Sequence, residues 1–341
     1  MSGKVDMQAV VDQLADALRQ SVLIEDRDQR PVWWSTRGTV DPTRARTILD
    51  RRVDPEAAAV VKRFHLAKAT APVHTPALPE AGMWARWCMP IRSGDRLLGF
   101  LWVLDPDETI GEPELPALVE CAELAAEVMS MSQQTLADAR HLRDELLDRL
   151  LRSRDDEAAR ELARLEHLPH DACVQVAAPS RTGGWLLPGD MSAHVARSRP
   201  RVCASGAPLP LIDFGEAVRR AAATRRAIAA GARPDPPTWD HLGAWRLIID
   251  APAWLTVAEV HLGAAVLAAQ PRSDLLTTAR FFLDHGGDVA AAAAALHVHR
   301  TTLYYRLDRI LELIGVDLRG GPARTDLQLA LWLDAYRRAD V

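Results

Sequence analysis

At 341 residues the chain exceeds one ordinary domain of about 100–200 residues, so two or three domains are expected. Hydrophobic residues at 48% and charged residues at 26% describe globular protein and exclude a disordered or fibrous chain. The net charge of −5 excludes wholesale coating of nucleic acid and leaves only a local patch for any DNA contact.

The most apolar stretch, 251–269, contains Glu259 and His261. It is expected to pack and not to span a membrane, which takes about 20 apolar residues. The first twenty residues are polar with no cleavable apolar region, so a cytoplasmic location is expected. Cys88, Cys121, Cys173 and Cys203 lie far apart without CxxC spacing. This excludes a disulfide scaffold and a zinc finger and leaves buried thiols as the expectation. Only Lys4, Lys62 and Lys68 are lysines among 41 basic residues, an arginine excess attributable to genome composition.

Residues 5–130 open with an amphipathic helix pattern at Val10, Val11, Leu14 and Leu18. Ser21-Val22-Leu23-Ile24, a turn at Asp26-Arg27-Asp28-Gln29, and Pro31-Val32-Trp33-Trp34 predict a hairpin. Two further strands flank Ser93-Gly94-Asp95, and a helix is expected over 114–131. The order helix, hairpin, variable helical middle, hairpin, helix resembles a GAF/PAS-type sensor domain. The most specific run is Pro90-Ile91-Arg92-Ser93-Gly94-Asp95-Arg96-Leu97-Leu98-Gly99-Phe100-Leu101-Trp102-Val103-Leu104.

Residues 134–165 contain no Pro or Gly, and Leu136, Leu142, Leu146, Leu147, Leu150 and Leu151 recur at three- and four-residue steps. One helix is expected here, its stripe packed either in a parallel coiled coil with a second copy or on its own domain. Residues 170–250 alternate strand patterns (172–177 and 201–206) with an alanine-rich helix to about residue 230. A Pro-rich loop (Pro234, Pro236, Pro237) and a segment with Trp239 and Trp245 follow. This stretch resembles the degenerate GGDEF-like middle domain of CdaR/PucR-type regulators. Gly183-Gly184 precedes Trp185-Leu186 with no carboxylate to hold a metal, so cyclase activity is not expected.

From residue 272 the pattern sharpens. Leu275, Leu276, Ala279, Phe282 and Leu283 make one helix, ended by His285-Gly286-Gly287. Asp288 is an N-cap for a second helix to Leu296, His297-Val298-His299 form a turn, and a third helix runs from Arg300 to Gly315. This is a helix-turn-helix pattern. Its expected inward set is Leu296, Val298, Leu303, Leu307, Ile310 and Leu311. The candidate DNA-binding residues are Arg300, Thr301, Thr302, Tyr304, Arg306 and Arg309, since short hydroxyls and arginines suit a helix in the major groove. Only one of Tyr304 and Tyr305 is expected to face outward. Nine arginines balance nine acids over 271–341, but 299–309 holds three arginines against Asp308 alone.

Val298-His299-Arg300-Thr301-Thr302-Leu303-Tyr304-Tyr305-Arg306-Leu307-Asp308-Arg309-Ile310 resembles the signature of the PucR-type C-terminal helix-turn-helix. Thr301 stands where that family usually has asparagine, losing the bidentate amide while keeping a hydroxyl.

Other candidates are weaker. His167, His170 and Cys173 have ligand-like spacing, but Pro169 interrupts them and no carboxylate assists, so no metal is expected. Trp33, Trp84 and Arg86 are candidate ligand-binding residues for an aromatic or carboxylate effector, with core packing the alternative for the tryptophans. No catalytic motif is present in the sequence, and neither enzyme activity nor a cofactor is expected.

The expected fold is multidomain α+β. A GAF/PAS-like α/β sensor (1–132), a helical connector (133–168) and a degenerate GGDEF-like α/β domain (169–270) precede an all-α helix-turn-helix domain (271–341). The function the resemblance implies is an effector-responsive PucR/CdaR-type transcriptional regulator, homodimeric or of higher order, with double-stranded DNA as partner. The alternative is a GAF-type ligand-binding protein or protein-interaction adaptor whose terminal helices dimerise without touching DNA.

Overall fold

A computed structural model of the chain describes residues 5–35, 37–53, 55–196, 202–270 and 274–339. It divides into two compact units, residues 1–141 and 142–341.

The first unit is built on a five-stranded antiparallel sheet of order β2-β1-β5-β4-β3. Its strands are β1 Val22–Asp26, β2 Pro31–Trp34, β3 Val73–Thr75, β4 Arg86–Ser93 and β5 Arg96–Leu104. Helix α1, Met7–Leu18, precedes them, with Asp6 accepting from the Gln8 and Ala9 amides as N-cap. The β1–β2 turn is held by the Asp26 carboxylate, which accepts from the Asp28 and Arg30 amides. Helices α2 Pro42–Asp50 and α3 Pro55–Arg63 fill the middle, and α4 Leu115–Arg152 follows the sheet.

Both faces of the sheet are covered, because side chains alternate along each strand. One face sends Val22, Ile24, Ile91, Leu101 and Val103 against Val11 and Leu14 of α1 and Leu118, Ala122 and Ala125 of α4. The other sends Leu23, Cys88, Phe100 and Trp102 against Ala57, Val60 and Val61 of α3. Gly99 lets β1 and β5 approach closely: a Cβ there would stand 2.0 Å from the Glu25 carbonyl oxygen.

The sequence suggested separate helices over 114–131 and 134–165. The chain instead runs as one helix from Leu115 to Arg152 and breaks before α5, Asp156–Leu165. The break needs neither Pro nor Gly. Asp155 leaves helical geometry and caps α5 through the Ala158 amide at 2.9 Å. The leucine stripe finds partners within its own unit: Leu146, Leu147 and Leu150 are buried against Ala158, Ala159 and Leu162 of α5, and Leu142 packs at the edge. Leu136 and Leu151 stay exposed.

After the end of α4 and α5, the second unit carries a four-stranded antiparallel sheet of order β7-β8-β6-β9. The strands are β6 Cys173–Ala177, β7 Trp185–Leu187, β8 Met191–Ala196 and β9 Leu209–Pro210. Helix α6, Phe214–Ala230, packs on it through Phe214, Ala217 and Ala221. The strand expected at 201–206 does not form among its described residues, 202–206; Arg201 lies outside them. Ser205 instead hydrogen-bonds Val176 twice: the Val176 amide donates to the Ser205 hydroxyl (2.8 Å), and the Ser205 amide to the Val176 carbonyl (3.1 Å). The β7–β8 hairpin was not foreseen.

The remainder is helical: α7 Trp245–Ile249, α8 Val257–Val260, α9 Leu262–Ala268, α10 Asp274–Asp284, α11 Val289–Ala295, α12 Arg300–Ile314 and α13 Ala323–Arg338. Helix α13 takes part in two cores. Leu327, Ala330 and Leu331 pack with Phe282, Leu303 and Leu307, together with Ala264 and Leu267 of α9. Leu333 and Ala335 pack with Ala227 and Ala230 of α6 and Trp245 of α7. Trp332 stacks on Trp245 at 4.8 Å between ring centroids. Among the described residues no helix is long and apolar enough to cross a membrane.

Candidate nucleic-acid interface

Helix α10 buries Thr278, Ala279, Phe282 and Leu283 and ends at Gly286 and Gly287, whose φ of +67° and +85° turns the chain. Asp288 then accepts from the Ala290 and Ala291 amides at 2.7 and 3.0 Å, starting α11. Those hydrogen bonds hold its carboxyl below the usual carboxylate range. The turn passes through His297 in the left-handed region (φ +52°). His299 caps α12 through the Thr301 amide, and its Nδ1 lies 3.0 Å from the Thr301 hydroxyl. Both histidines thus serve the turn.

On α12, Leu303, Leu307 and Ile310 are buried, the i, i+4, i+7 stripe of a 3.6-residue period. Leu296, Val298 and Ile314 pack beside them, while Leu311 is half-buried. Arg300, Thr301, Thr302 and Arg309 are exposed. Tyr304 and Tyr305 are 46% and 66% exposed, so the expectation that one belongs to the core is corrected. They follow Leu303 by about 100° and 200° around the helix, and neither angle returns to the buried stripe.

Two of the arginines have partners within the chain. Arg306 is turned toward α10, where Nη2 donates to Asp274 Oδ2 at 2.5 Å and Nη1 to the Thr278 hydroxyl at 3.4 Å. Arg309 pairs with Glu312 one turn along the same exposed face. Sequence reasoning did not single out Asp274 and Thr278, because their partner lies 32 and 28 residues away. The exposed face that remains carries Arg300, Thr301, Thr302, Tyr304, Tyr305 and Arg309. It offers hydroxyl donors and acceptors, two aromatic rings and cationic heads for a phosphate backbone and base edges.

The first unit has a polar cluster of its own. Arg86 is buried and ion-paired with Asp41, and its Nε donates to the Trp84 carbonyl. Asp41 also accepts from the Arg44 and Trp84 amides. Trp33 packs on the opposite, α1/α4 side of the sheet, so the structure does not bring it together with Arg86. The residues joining Arg86 around a small recess include Arg44, Glu25, Thr47 and Trp102. Trp102 Nε1 donates to Glu25 Oε2 at 2.9 Å. Burial pushes the Glu25 carboxyl up to about 7, opposed by the Arg44 charge and the Trp102 bond. Burial, reinforced by the Arg86 charge, brings Arg44 down to about 9. Among the described residues no cluster of metal-ligating side chains occurs.

The helices α10 to α13 define a helix-turn-helix module. Residues 275–333 match the PucR C-terminal helix-turn-helix domain, and this part of the chain is of that type. A 120-residue stretch is 30% identical to a protein of Bacillus subtilis (strain 168) described as DNA-binding transcriptional activator AdeR. The stretch takes in 33% of this chain and 28% of that relative's length. Among solved structures, the regulator of polyketide synthase expression from Bifidobacterium adolescentis matches with 18% identity over 58% of this chain and 93% of its own, at a TM-score of 0.26.

Proposed function

We propose that this protein is a sequence-specific, DNA-binding transcriptional regulator of the PucR type whose first unit senses a small effector. The observation that carries the reading is the exposed face of α12, Arg300-Thr301-Thr302 with Tyr304, Tyr305 and Arg309, set on the buried stripe of a domain that matches the PucR helix-turn-helix. The name of the Bacillus subtilis relative points the same way.

The sensor reading draws support from the first unit. Its order is helix α1, hairpin β1–β2, helices α2 and α3, hairpin β4–β5 and helix α4, the order on which the GAF/PAS resemblance rests. The GGDEF-like reading of the middle segment and the four-part division at about residues 132, 168 and 270 belong to the same proposal; the last boundary falls beside 271–273, outside the described residues. In this proposal two copies of the chain place two α12 helices in successive major grooves, about 34 Å apart. Each α12 face is too weakly charged to bind tightly alone, so pairing supplies affinity as well as symmetry.

Binding to genomic DNA fragments tests the reading, with Arg300→Ala beside the wild type at two salt concentrations. Selective, saturable binding weakened by the substitution is the expected result; its absence would leave the ligand-binding or adaptor alternative standing.

A further inference from the structure

We propose that the pocket between the end of β6 and helix α6, in the second unit, binds a monocarboxylate with a compact apolar body, its charge met by Arg225 and Arg181. The site is additional to the sensor reading of the first unit, and only its regulatory meaning rests on the DNA-binding reading.

Room and access come first. The pocket measures about 320 Å³, inside the span of about 300–1,000 Å³ in which small-molecule sites fall. Three of its lining residues, Pro179, Arg181 and Val202, are exposed, so it opens to solvent. Val202 alone is 53% exposed.

The lining narrows the class. Ala177, Ala178, Val202, Ala204, Ile228 and Pro237 supply hydrocarbon, Arg181 and Arg225 supply two cations, and no carboxylate is among its described lining residues. Arg225 donates through Nη1 to the Gly189 carbonyl, while Nη2 has no hydrogen-bond partner and, unlike Nε, is not enclosed. The Arg181 amide is fixed to the Ser192 hydroxyl at 2.7 Å, and its guanidinium has no ion-pair partner among the described residues. Asp190 is near enough to feel the Arg225 charge, but it accepts from the Ser180 hydroxyl and amide and stands outside the lining. A guanidinium finds its geometric complement in a carboxylate. Hydrocarbon walls add affinity only for an anion that carries apolar surface of its own.

The pocket also has a place in the fold that matters. Thr224, Arg225 and Ile228 line it from one side of α6. From the other side Ala223, Ala227 and Ala230 pack with Leu333 and Ala335 of α13, and Arg226 donates to the Tyr336 and Arg337 carbonyls at 2.8 and 2.9 Å. At about 100° per residue the two sets stand roughly 150° apart around the helix. Helix α13 enters the core beneath α12 through Leu327 and Leu331. One helix therefore separates the pocket from the element that anchors the helix-turn-helix.

The test uses the full chain without DNA. Calorimetric titration and thermal denaturation compare sodium phenylacetate with sodium chloride at equal ionic strength, with sodium acetate, with sodium phosphate and with neutral phenylacetamide. Phenylacetate should bind saturably and raise Tm, and the other four should not. Arg225→Met should weaken phenylacetate binding at least tenfold. Val202→Trp, which adds bulk at an exposed wall position and leaves the charge unchanged, should do the same. No saturable difference between phenylacetate and chloride would overturn the proposal, as would equal binding of acetate, phosphate or phenylacetamide. Undiminished binding by Val202→Trp would also overturn it, a result that stands even if Arg225→Met does not fold. Because the assay contains no DNA, its failure leaves the DNA-binding reading intact, and failure to bind DNA leaves this site intact.

Discussion

Arg306 on α12 donates to Asp274 at the first residue of α10, 2.5 Å away across 32 residues of sequence. A side chain that the sequence assigned to DNA is therefore engaged in joining the first and third helices of the module, and it is only 20% exposed. The distinction gives Arg306 and Arg300 different expected phenotypes.

Arg306→Ala should lower the stability of the second unit by about 1 kcal/mol, the range for a half-exposed ion pair with packed stem. Arg300→Ala should leave stability within about 0.5 kcal/mol of wild type, since its side chain is exposed. Urea denaturation of the two variants checks this contrast.

Leu303 is fully buried at the centre of the α12 stripe. Leu303→Ala should cost about 2–5 kcal/mol through lost burial and a cavity. Loss of DNA binding should follow from unfolding of the module, read by far-ultraviolet circular dichroism beside the binding assay.

Glu25 links the first unit to pH. Its folded pKa, about 7, lies above the ordinary 4.5, so the fold prefers the protonated form. The associated stability is complete below 4.5 and is lost as pH rises through 7. Glu25→Gln keeps an oxygen acceptor for Trp102 and removes the ionisation. It should match wild type near pH 4.5 and exceed it at pH 8, by up to about 3 kcal/mol. Melting curves of the first unit across that range read the crossover.

Phosphate contacts leave a signature in salt. Arg300→Ala and Arg309→Ala should each reduce the slope of log K against log salt by roughly one, whereas Arg306→Ala should change it less. Titrations at four salt concentrations measure the slopes.

The helix-turn-helix was legible because its signals are local: Asp288 as cap, Gly315 as terminator with φ +70°, and a stripe at the helical period. The β1–β2 and β4–β5 hairpins were legible from their turn residues. The β7–β8 hairpin is not legible although Pro188-Gly189-Asp190 separates its strands, because Trp185–Leu187 is three residues long, too short to display an alternating pattern. Residues 202–206 look like a strand, but Ser205 bonds Val176 through its own hydroxyl.

What the sequence hides is pairing at long range. The partner of Arg306 and the burial of Arg44 against β1 and β4 depend on chain crossings that no periodicity encodes. The same holds for α13, whose Leu333 and Trp332 lean on α6 and α7.

The central claim is that the exposed face of α12 reads DNA. Its most direct test is equilibrium binding of full-length wild type and Arg300→Ala to a fragment selected from genomic DNA, with a scrambled fragment of equal length as competitor. Wild type should prefer the selected fragment by at least a thousandfold, and Arg300→Ala should lose at least tenfold in affinity with an unchanged Tm. Equal affinity for both fragments, or a variant indistinguishable from wild type on the selected one, would contradict the account.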